Sequence, residues 1–127
     1  MDKMDKRKEF GNIAEAIAAD YLSGKGYDII DKNFRKPWGE IDIITKKKGM
    51  FIFVEVKANS RAGDSAFDPQ VRANYEKMKK IIKTATLYLG RIPGGLDNEW
   101  RIDVISVTID QDRAHITHYK NVGEALY

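Results

Sequence analysis

The chain contains no cysteine, and its 127 residues include only two histidines and three prolines. The absence of cysteine excludes disulfide bonds, zinc–thiolate sites and thiol nucleophiles, and it is consistent with a reducing compartment. Long hydrophobic runs are also missing, because the longest unbroken apolar stretch covers only residues 50–54. That stretch is too short to cross a bilayer, and the first residues, MDKMDKRKEF, contain no apolar signal segment. We therefore expect a soluble, cytoplasmic protein.

The length and composition suit one ordinary domain. A chain of 127 residues with 43% hydrophobic residues can bury a real core. We predict a single domain over residues 1–127, with a flexible N-terminus at 1–8. The 22 lysines and arginines against 19 acids give a net charge of only +3, which permits a nucleic-acid partner without requiring one.

Hydrophobic spacing and turn residues predict seven elements in the order α-β-β-β-α-β-β. Apolar residues at helical spacing from Phe10 onward predict a first helix that ends at Gly24. The pair Asp68-Pro69 predicts the start of a second helix, which ends at Gly90. Strands are predicted at 27–34, 40–45, 51–57, 100–109 and 115–122. This order indicates an α/β fold in which a mixed β-sheet is flanked by helices.

Two acids and a lysine lie on the second and third predicted strands. If residues 48–49 form a two-residue hairpin loop, Asp42 lies directly opposite Glu55. In the same register Glu40 lies opposite Lys57, whereas a loop one residue longer would make the two carboxylates diagonal neighbours. Strand periodicity sends the apolar neighbours to the other face of the sheet. Those neighbours are Ile41, Ile43, Ile52, Val54 and Val56.

Facing carboxylates on a half-buried sheet repel each other unless a cation neutralises them. Oxygen ligands without histidine or cysteine suit a hard ion such as Mg²⁺ or Mn²⁺. That combination is suited to phosphodiester hydrolysis, with Lys57 in an electrostatic role beside the attacking water and the phosphate. The alternative is an ordinary hairpin whose solvent-exposed face carries Glu40, Asp42, Glu55 and Lys57, with Glu40 paired to Lys57.

The spacing of Asp42, then twelve residues, then Glu55-Val56-Lys57 resembles the PD-(D/E)XK signature of the restriction-endonuclease-like nuclease superfamily. The ordered segments GNIAEAIAADYLSGKGYDIIDKNFR, GEIDII, FVEVK and RIDVISV resemble the bacterial YraN-like family, which is similar to archaeal Holliday-junction resolvases. The resemblance implies a restriction-endonuclease-like fold and a Mg²⁺-dependent endonuclease that acts on DNA, including branched or structured DNA. By analogy with the resolvases alone, it also implies a homodimer.

The same resemblance implies roles for individual residues. Asp42 and Glu55 would be metal ligands, Lys57 the catalytic lysine and Glu15 an accessory acid on the first helix and at the metal. Glu15 lies at the edge of the apolar stripe of that helix, from which it could reach a cleft, and the alternative is an ordinary exposed helix acid. The chain has VEVKANSR where the family tends to have VEVKTR, so Arg61 is displaced from the family position.

Basic residues gather on one side of the second predicted helix. They are Arg72, Lys79, Lys80 and Lys83. They are suited to contact a phosphate backbone, although a solvated helix face would have the same composition. A second hypothesis follows, in which the protein is a nucleic-acid-binding module with the same fold that does not cleave and acts through a partner. A third is a plain interaction domain.

Two further polar groups lie on the last predicted strands. His115 and His118 have a metal-like spacing only on a helix, and on a strand they face opposite sides, so no metal site is expected there. Asp103 lies among apolar residues. A support role behind the candidate site competes with a structural pairing to Arg101 or to the backbone, and the structural pairing is favoured.

Overall fold

The computed structural model describes residues 3–59 and 75–123, which fold into helices and one five-stranded sheet. Their elements are α1 (Lys3–Gly24), β1 (Asp28–Lys36), β2 (Gly39–Lys47), β3 (Met50–Asn59), α2 (Tyr75–Leu89), a 3₁₀ helix (Gly95–Asp97), β4 (Trp100–Asp110) and β5 (Arg113–Tyr119). The predicted α/β order is confirmed. Helix α1 begins at Lys3 rather than Phe10, so residues 3–8 are helical. The predicted start of the second helix at Asp68-Pro69 lies outside the described residues.

The sheet is mixed and has the strand order β1-β2-β3-β4-β5. All neighbours are antiparallel except β3 and β4, which run parallel. A parallel pair needs a crossover connection, and α2 lies in the chain segment that makes this one. The other neighbours follow one another directly along the chain.

The hairpin between β2 and β3 has the predicted two-residue loop. Lys48 and Gly49 have φ angles of 50° and 81°, as the turn types that fit the twist of a hairpin require. The register then pairs Lys47 with Met50 and continues as far as Ile43 with Val54. These pairs follow the predicted register, but the pairing ends one step before residues 42 and 55 would face each other.

The two helices pack on opposite faces of the sheet. On the α1 face, buried residues are Ala14, Ala18, Ala19, Leu22, Tyr27, Ile43, Ile52, Val54, Ile105 and Val107. On the α2 face they are Ile41, Ile44, Phe51, Phe53, Met78, Ile81, Ala85, Leu89 and Ile102. Along β3 the even-numbered side chains therefore face α1 and the odd-numbered ones face α2. Neither described helix is long and apolar enough to span a membrane.

Gly39, at the start of β2, lies against helix α2. A β-carbon at this position would be 2.8 Å from Thr84 Oγ1 and 3.3 Å from the carbonyl oxygen of Lys80. A larger residue would push strand and helix apart, which accounts for the glycine in front of Glu40. The close approach sets α2 beside the end of β2 that carries Glu40 and Asp42.

Strand β1 is an edge strand with an irregularity in its pairing to β2. The register shifts between Ile29 and Asp31, as expected for a β-bulge. Most of its side chains are exposed, and many are charged.

Candidate active site

The site begins where β2 and β3 separate. Their pairing ends at Ile43 and Val54, although β2 stays paired with β1 as far as Gly39 and β3 stays paired with β4 as far as Asn59. Just beyond that point the Val56 backbone N–H donates a hydrogen bond to Asp42 Oδ2, at 2.8 Å. The Asp42 carboxylate, rather than a backbone carbonyl, therefore receives the Val56 N–H where the strands diverge.

The alternation of side chains along β2 breaks at the same place. Ile43 packs on the α1 face, but Ile41 and Ile44 both pack on the α2 face. The prediction that Ile41 shares a face with Ile43 is therefore wrong, and the change of face falls where the β2–β3 pairing ends. Asp42 lies at this change, where the charges of Glu15 on α1 and Glu55 on β3 both act on its carboxyl group.

Glu55 is a buried carboxylate held between two ammonium groups. Its side chain is only 8% exposed. Its Oε1 atom lies 3.6 Å from Lys57 Nζ and forms a second ion pair with Lys77 Nζ. Both of these contacts join the same carboxylate oxygen to an ammonium group. Lysines from β3 and α2 therefore neutralise the Glu55 carboxylate together.

The alternative of an ordinary solvent-exposed hairpin face is wrong. Lys57 is 17% exposed and pairs with Glu55 rather than with Glu40. Glu40 pairs with Arg35 at the surface, with 3.1 Å between Glu40 Oε2 and Arg35 Nε. Glu55 and Lys57 thus belong to a sheltered site, and Glu40 belongs to its exposed rim.

Asp42 carries the most perturbed carboxyl group of the site. Burial raises its pKa, the Val56 N–H opposes this effect, and the charges of Glu15, Glu55 and Glu40 add to it, so that the pKa reaches about 7. A carboxyl group in these surroundings resists ionisation at neutral pH. A bound cation would reverse that preference.

Glu15, on α1, lies close enough to the Asp42 carboxyl group to affect its pKa. It is half-buried on α1, and its charge has a larger effect on the pKa of Asp42 than the charge of Glu55 has. The alternative of an ordinary exposed helix acid does not fit a half-buried side chain whose charge acts on Asp42. Across residues 3–59 and 75–123, however, no group of three or more acids and histidines is arranged to hold a metal ion. The metal role of Glu15 stays a prediction.

Lys77 is a site residue that the sequence pattern did not predict. It lies near the start of the described part of α2, and its ammonium contacts Glu55. Burial lowers the pKa of Lys77, but the hydrogen bond and charge of Glu55, with further contributions from Lys57 and Asp42, outweigh burial and raise it. In the sequence, Lys77 lies beside Met78 at the edge of the apolar stripe of α2, and this position could have identified it. A position at the edge of an apolar stripe is also what made Glu15 a candidate on α1.

The predicted basic face of α2 is present as three exposed lysines. Lys79 lies over the ring of Tyr75, with 4.9 Å from Nζ to the ring centroid, and Lys83 lies over Trp38 at 5.6 Å. Lys80 borders a cleft of about 370 Å³. That cleft is lined by Gly39, Glu40, Glu76, Lys77, Lys80 and Ile81. Contact of these lysines with nucleic acid stays a prediction, and Arg61 and Arg72 lie outside the described residues.

Asp103 is part of a different polar group, on the α1 face of the sheet. Its carboxylate is fully buried and accepts hydrogen bonds from Arg101 Nε at 2.9 Å, from Arg101 Nη2 at 3.2 Å and from the Asn121 backbone N–H at 2.9 Å. His118 Nε2 lies 2.7 Å from Asp103 Oδ2, and its other ring nitrogen is 3.0 Å from the Tyr21 hydroxyl. The favoured structural pairing is confirmed. Asp103 therefore lies on the opposite face of the sheet from Glu55.

Known proteins are similar to this chain over most of its length. Residues 14–107 match the Uncharacterised protein family UPF0102. The chain is 43% identical over 118 residues to a UPF0102 protein of Fervidobacterium nodosum, covering 92% of this chain and 83% of the relative. It is 36% identical over 126 residues to a UPF0102 protein of Caldanaerobacter subterraneus subsp. tengcongensis, covering 99% and 100%. The chain therefore belongs to the UPF0102 (YraN-like) family.

Proposed function

We propose that this protein is a Mg²⁺- or Mn²⁺-dependent endonuclease of the PD-(D/E)XK, restriction-endonuclease-like superfamily. Its substrate is DNA, including branched or structured DNA, and the reaction is hydrolysis of a phosphodiester bond. The observation that carries the proposal is the meeting of Asp42, Glu55 and Lys57 in a sheltered site where β2 and β3 separate. An ordinary hairpin would not bury acids in this way.

The donor atoms of the site fit a hard divalent cation. Asp42 and Glu55 offer carboxylate oxygens, and Mg²⁺ typically takes one or two carboxylates and completes its shell with water and phosphate oxygens. The raised pKa of Asp42 fits as well, because burial and three neighbouring acids leave negative charge that the protein compensates only in part. Asp42 and Glu55 would hold the ion, with Glu15 as a third acid nearby. When bound, the ion would acidify a water and offset charge on the phosphate.

The groups around the proposed metal position have different roles. The Val56 N–H fixes the orientation of Asp42 through Oδ2. Lys57 projects from β3 on the same face as Glu55, two residues away, and its ammonium can donate hydrogen bonds to the attacking water or to a phosphate oxygen. Its role is electrostatic, because this charged group lies beside Glu55 and can offset negative charge that develops on the phosphate.

The second candidate function is a nucleic-acid-binding module that does not cleave. The cleft beside α2 and the exposed lysines around it favour this function independently of the acids. Binding through such lysines would fall steeply with salt and would depend little on base sequence. The two functions therefore differ in the need for Asp42 and Glu55.

Incubation with linear, flapped and four-way-junction DNAs, with and without Mg²⁺ or Mn²⁺, tests the proposal. We expect metal-dependent cleavage of at least one substrate by the parent protein. Asp42→Asn and Glu55→Gln should each lower cleavage by about 100-fold or more, since each removes a metal ligand. Lys57→Met should lose cleavage but keep metal binding. Asp110→Asn is the control, because Asp110 is an exposed acid at the end of β4 and does not line the site or the cleft.

Metal-dependent thermal melts separate the two candidate functions. A parent protein that binds DNA, yet shows neither cleavage nor stabilisation by Mg²⁺ or Mn²⁺, would be a binding module. Equal cleavage by the parent and by Asp42→Asn would contradict the assignment of the site.

A further inference from the structure

We propose that Lys77 is an internal counter-cation that competes with the divalent ion for Glu55. In this role the ammonium of Lys77 neutralises Glu55 until a metal enters, and it then moves to the adjoining cleft, where it meets a phosphate of the substrate. The inference rests on the proposed function, because it concerns how that site admits its metal.

Glu55 has two lysines as neighbours. Lys57 and Lys77 both direct their ammonium groups at the same oxygen, Oε1. A divalent ion bound to this carboxylate would add two more positive charges beside two ammoniums. Like charges at such distances repel strongly in a sheltered site, so metal binding favours the withdrawal of one ammonium.

The two lysines differ in how far they are exposed to solvent. Lys57 projects from the sheet and is 17% exposed, whereas the side chain of Lys77 is 48% exposed. Lys77 can therefore return its charge to water at a lower cost than Lys57, which would have to leave a sheltered strand position. Of these two groups, Lys77 is the one able to move.

The surroundings of Lys77 supply a second place for its charge. Lys77 lines the cleft of about 370 Å³ together with Glu40, Glu76 and Lys80. The two acids there can partner the displaced ammonium, and a DNA phosphate in the cleft would attract both Lys77 and Lys80. Withdrawal of Lys77 toward a phosphate would free Glu55, so binding of DNA and binding of metal should strengthen each other.

Metal affinity measured without DNA tests the first part of this inference. Mn²⁺ alone is titrated by calorimetry into the parent, Lys77→Met, Lys77→Arg and Lys79→Met. We expect Lys77→Met to bind Mn²⁺ about tenfold more tightly, because one competing charge is gone. Lys77→Arg keeps the charge and should stay close to the parent. Lys79→Met, which removes an exposed lysine that lies over Tyr75 on the same helix, should not change the affinity.

The outcomes separate this inference from the proposed function. If the parent binds Mn²⁺ and Lys77→Met binds it no more tightly, the counter-cation role is wrong and the nuclease proposal stands. If no variant binds Mn²⁺, the proposed metal site fails and the inference fails with it.

A spectroscopic measurement on the parent protein covers the case in which Lys77→Met does not fold. Lysine side chains labelled with ¹³C are followed by NMR during a Mg²⁺ titration, with Lys79 as the internal reference. The Lys77 signal should shift toward that of a solvent-exposed lysine as Mg²⁺ binds. A Lys77 signal that stays fixed while Mg²⁺ binding is detected elsewhere in the site would overturn the inference.

Discussion

Asp103 and Asp42 are both acids on interior strands of one sheet, yet their surroundings are opposite. Around Asp103, burial alone raises the pKa, but hydrogen bonds with His118, Arg101 and the Asn121 backbone outweigh burial and lower it. Around Asp42 burial raises the pKa, the Val56 backbone N–H opposes burial, and the charges of Glu15, Glu55 and Glu40 add to it, so that the pKa rises to about 7. The protein neutralises the first carboxylate and leaves the second only partly compensated.

This difference shows which of the two groups serves the fold. A buried carboxylate with a full set of donors holds elements together, and Asp103 joins β4 to β5 and, through His118 and Tyr21, to α1. A buried carboxylate surrounded by like charge reduces stability and is retained where something else requires it. A perturbed acid in a sheltered cleft is a candidate for chemistry on physical grounds.

The largest expected effect is the loss of stability in Asp103→Asn. The substitution keeps the shape of the side chain but leaves the largely buried Arg101 guanidinium without its anionic partner. We expect the free energy of unfolding to fall by about 3 kcal/mol, as for other buried ion pairs that lose one member. Chemical denaturation at neutral pH measures the change. Asp110→Asn, an exposed acid at the end of the same strand, should stay within about 0.5 kcal/mol of the parent, and an equal loss in both variants would contradict the comparison.

The substitution Asp42→Asn should raise the free energy of unfolding, and by less than Asp103→Asn lowers it. The pKa of Asp42 is raised on folding, so its contribution to stability is fully present below the unfolded pKa and is lost as pH rises through about 7. Asparagine cannot ionise and can still accept the Val56 N–H. We expect the variant to be more stable than the parent by on the order of 2 kcal/mol at about pH 8, and the gain to shrink as pH falls toward about 4.

Denaturation curves of the parent and Asp42→Asn across this pH range measure the gain. Asp103→Asn, measured in parallel, is the control. The pKa of Asp103 is lowered on folding, so the stability that this carboxylate contributes is lost only as pH falls. A constant difference between Asp42→Asn and the parent at all pH values would show that the charge of Asp42 is not the cause.

The smallest expected effect is a change in the titration of Asp42 in Glu15→Gln. The charge of Glu15 raises the pKa of Asp42 more than the charge of Glu40 does, so removing it should lower the titration midpoint further than Glu40→Gln does. NMR of the Asp42 side-chain carboxyl carbon follows the midpoint in both variants. A larger shift in Glu40→Gln would place Glu15 away from the site.

Local patterns were sufficient to predict most of the fold. The two-residue loop at Lys48-Gly49 determined the hairpin register, because a tight turn and period-two alternation leave few alternatives. The start of α1 at Lys3 was missed, since the charged residues before Phe10 have no apolar face of the kind that marks an amphipathic helix.

The candidate site was predictable from strand geometry within the hairpin and, at Glu15, from its place at the edge of the apolar stripe of α1. Asp42, Glu55 and Lys57 are related by local strand geometry, and the structure gathers them. The contact of Lys77 with Glu55 depends on how α2 packs across the sheet, which sequence spacing does not encode. The end of the β2–β3 pairing at Ile43 and Val54 is likewise not marked in the spacing. The partnership of Asp103 with His118 likewise required the pairing of β4 with β5.

The irregular pairing of β1 bears on how this protein behaves at high concentration. A regular edge strand offers unpaired backbone groups to any other strand and invites aggregation. The register shift between Ile29 and Asp31 and the charged side chains of Asp31, Lys32 and Arg35 make β1 a poor template for such pairing. Two copies of the chain are therefore discouraged from joining their sheets through β1, and the side of the molecule farthest from β5 is protected against uncontrolled growth of the sheet.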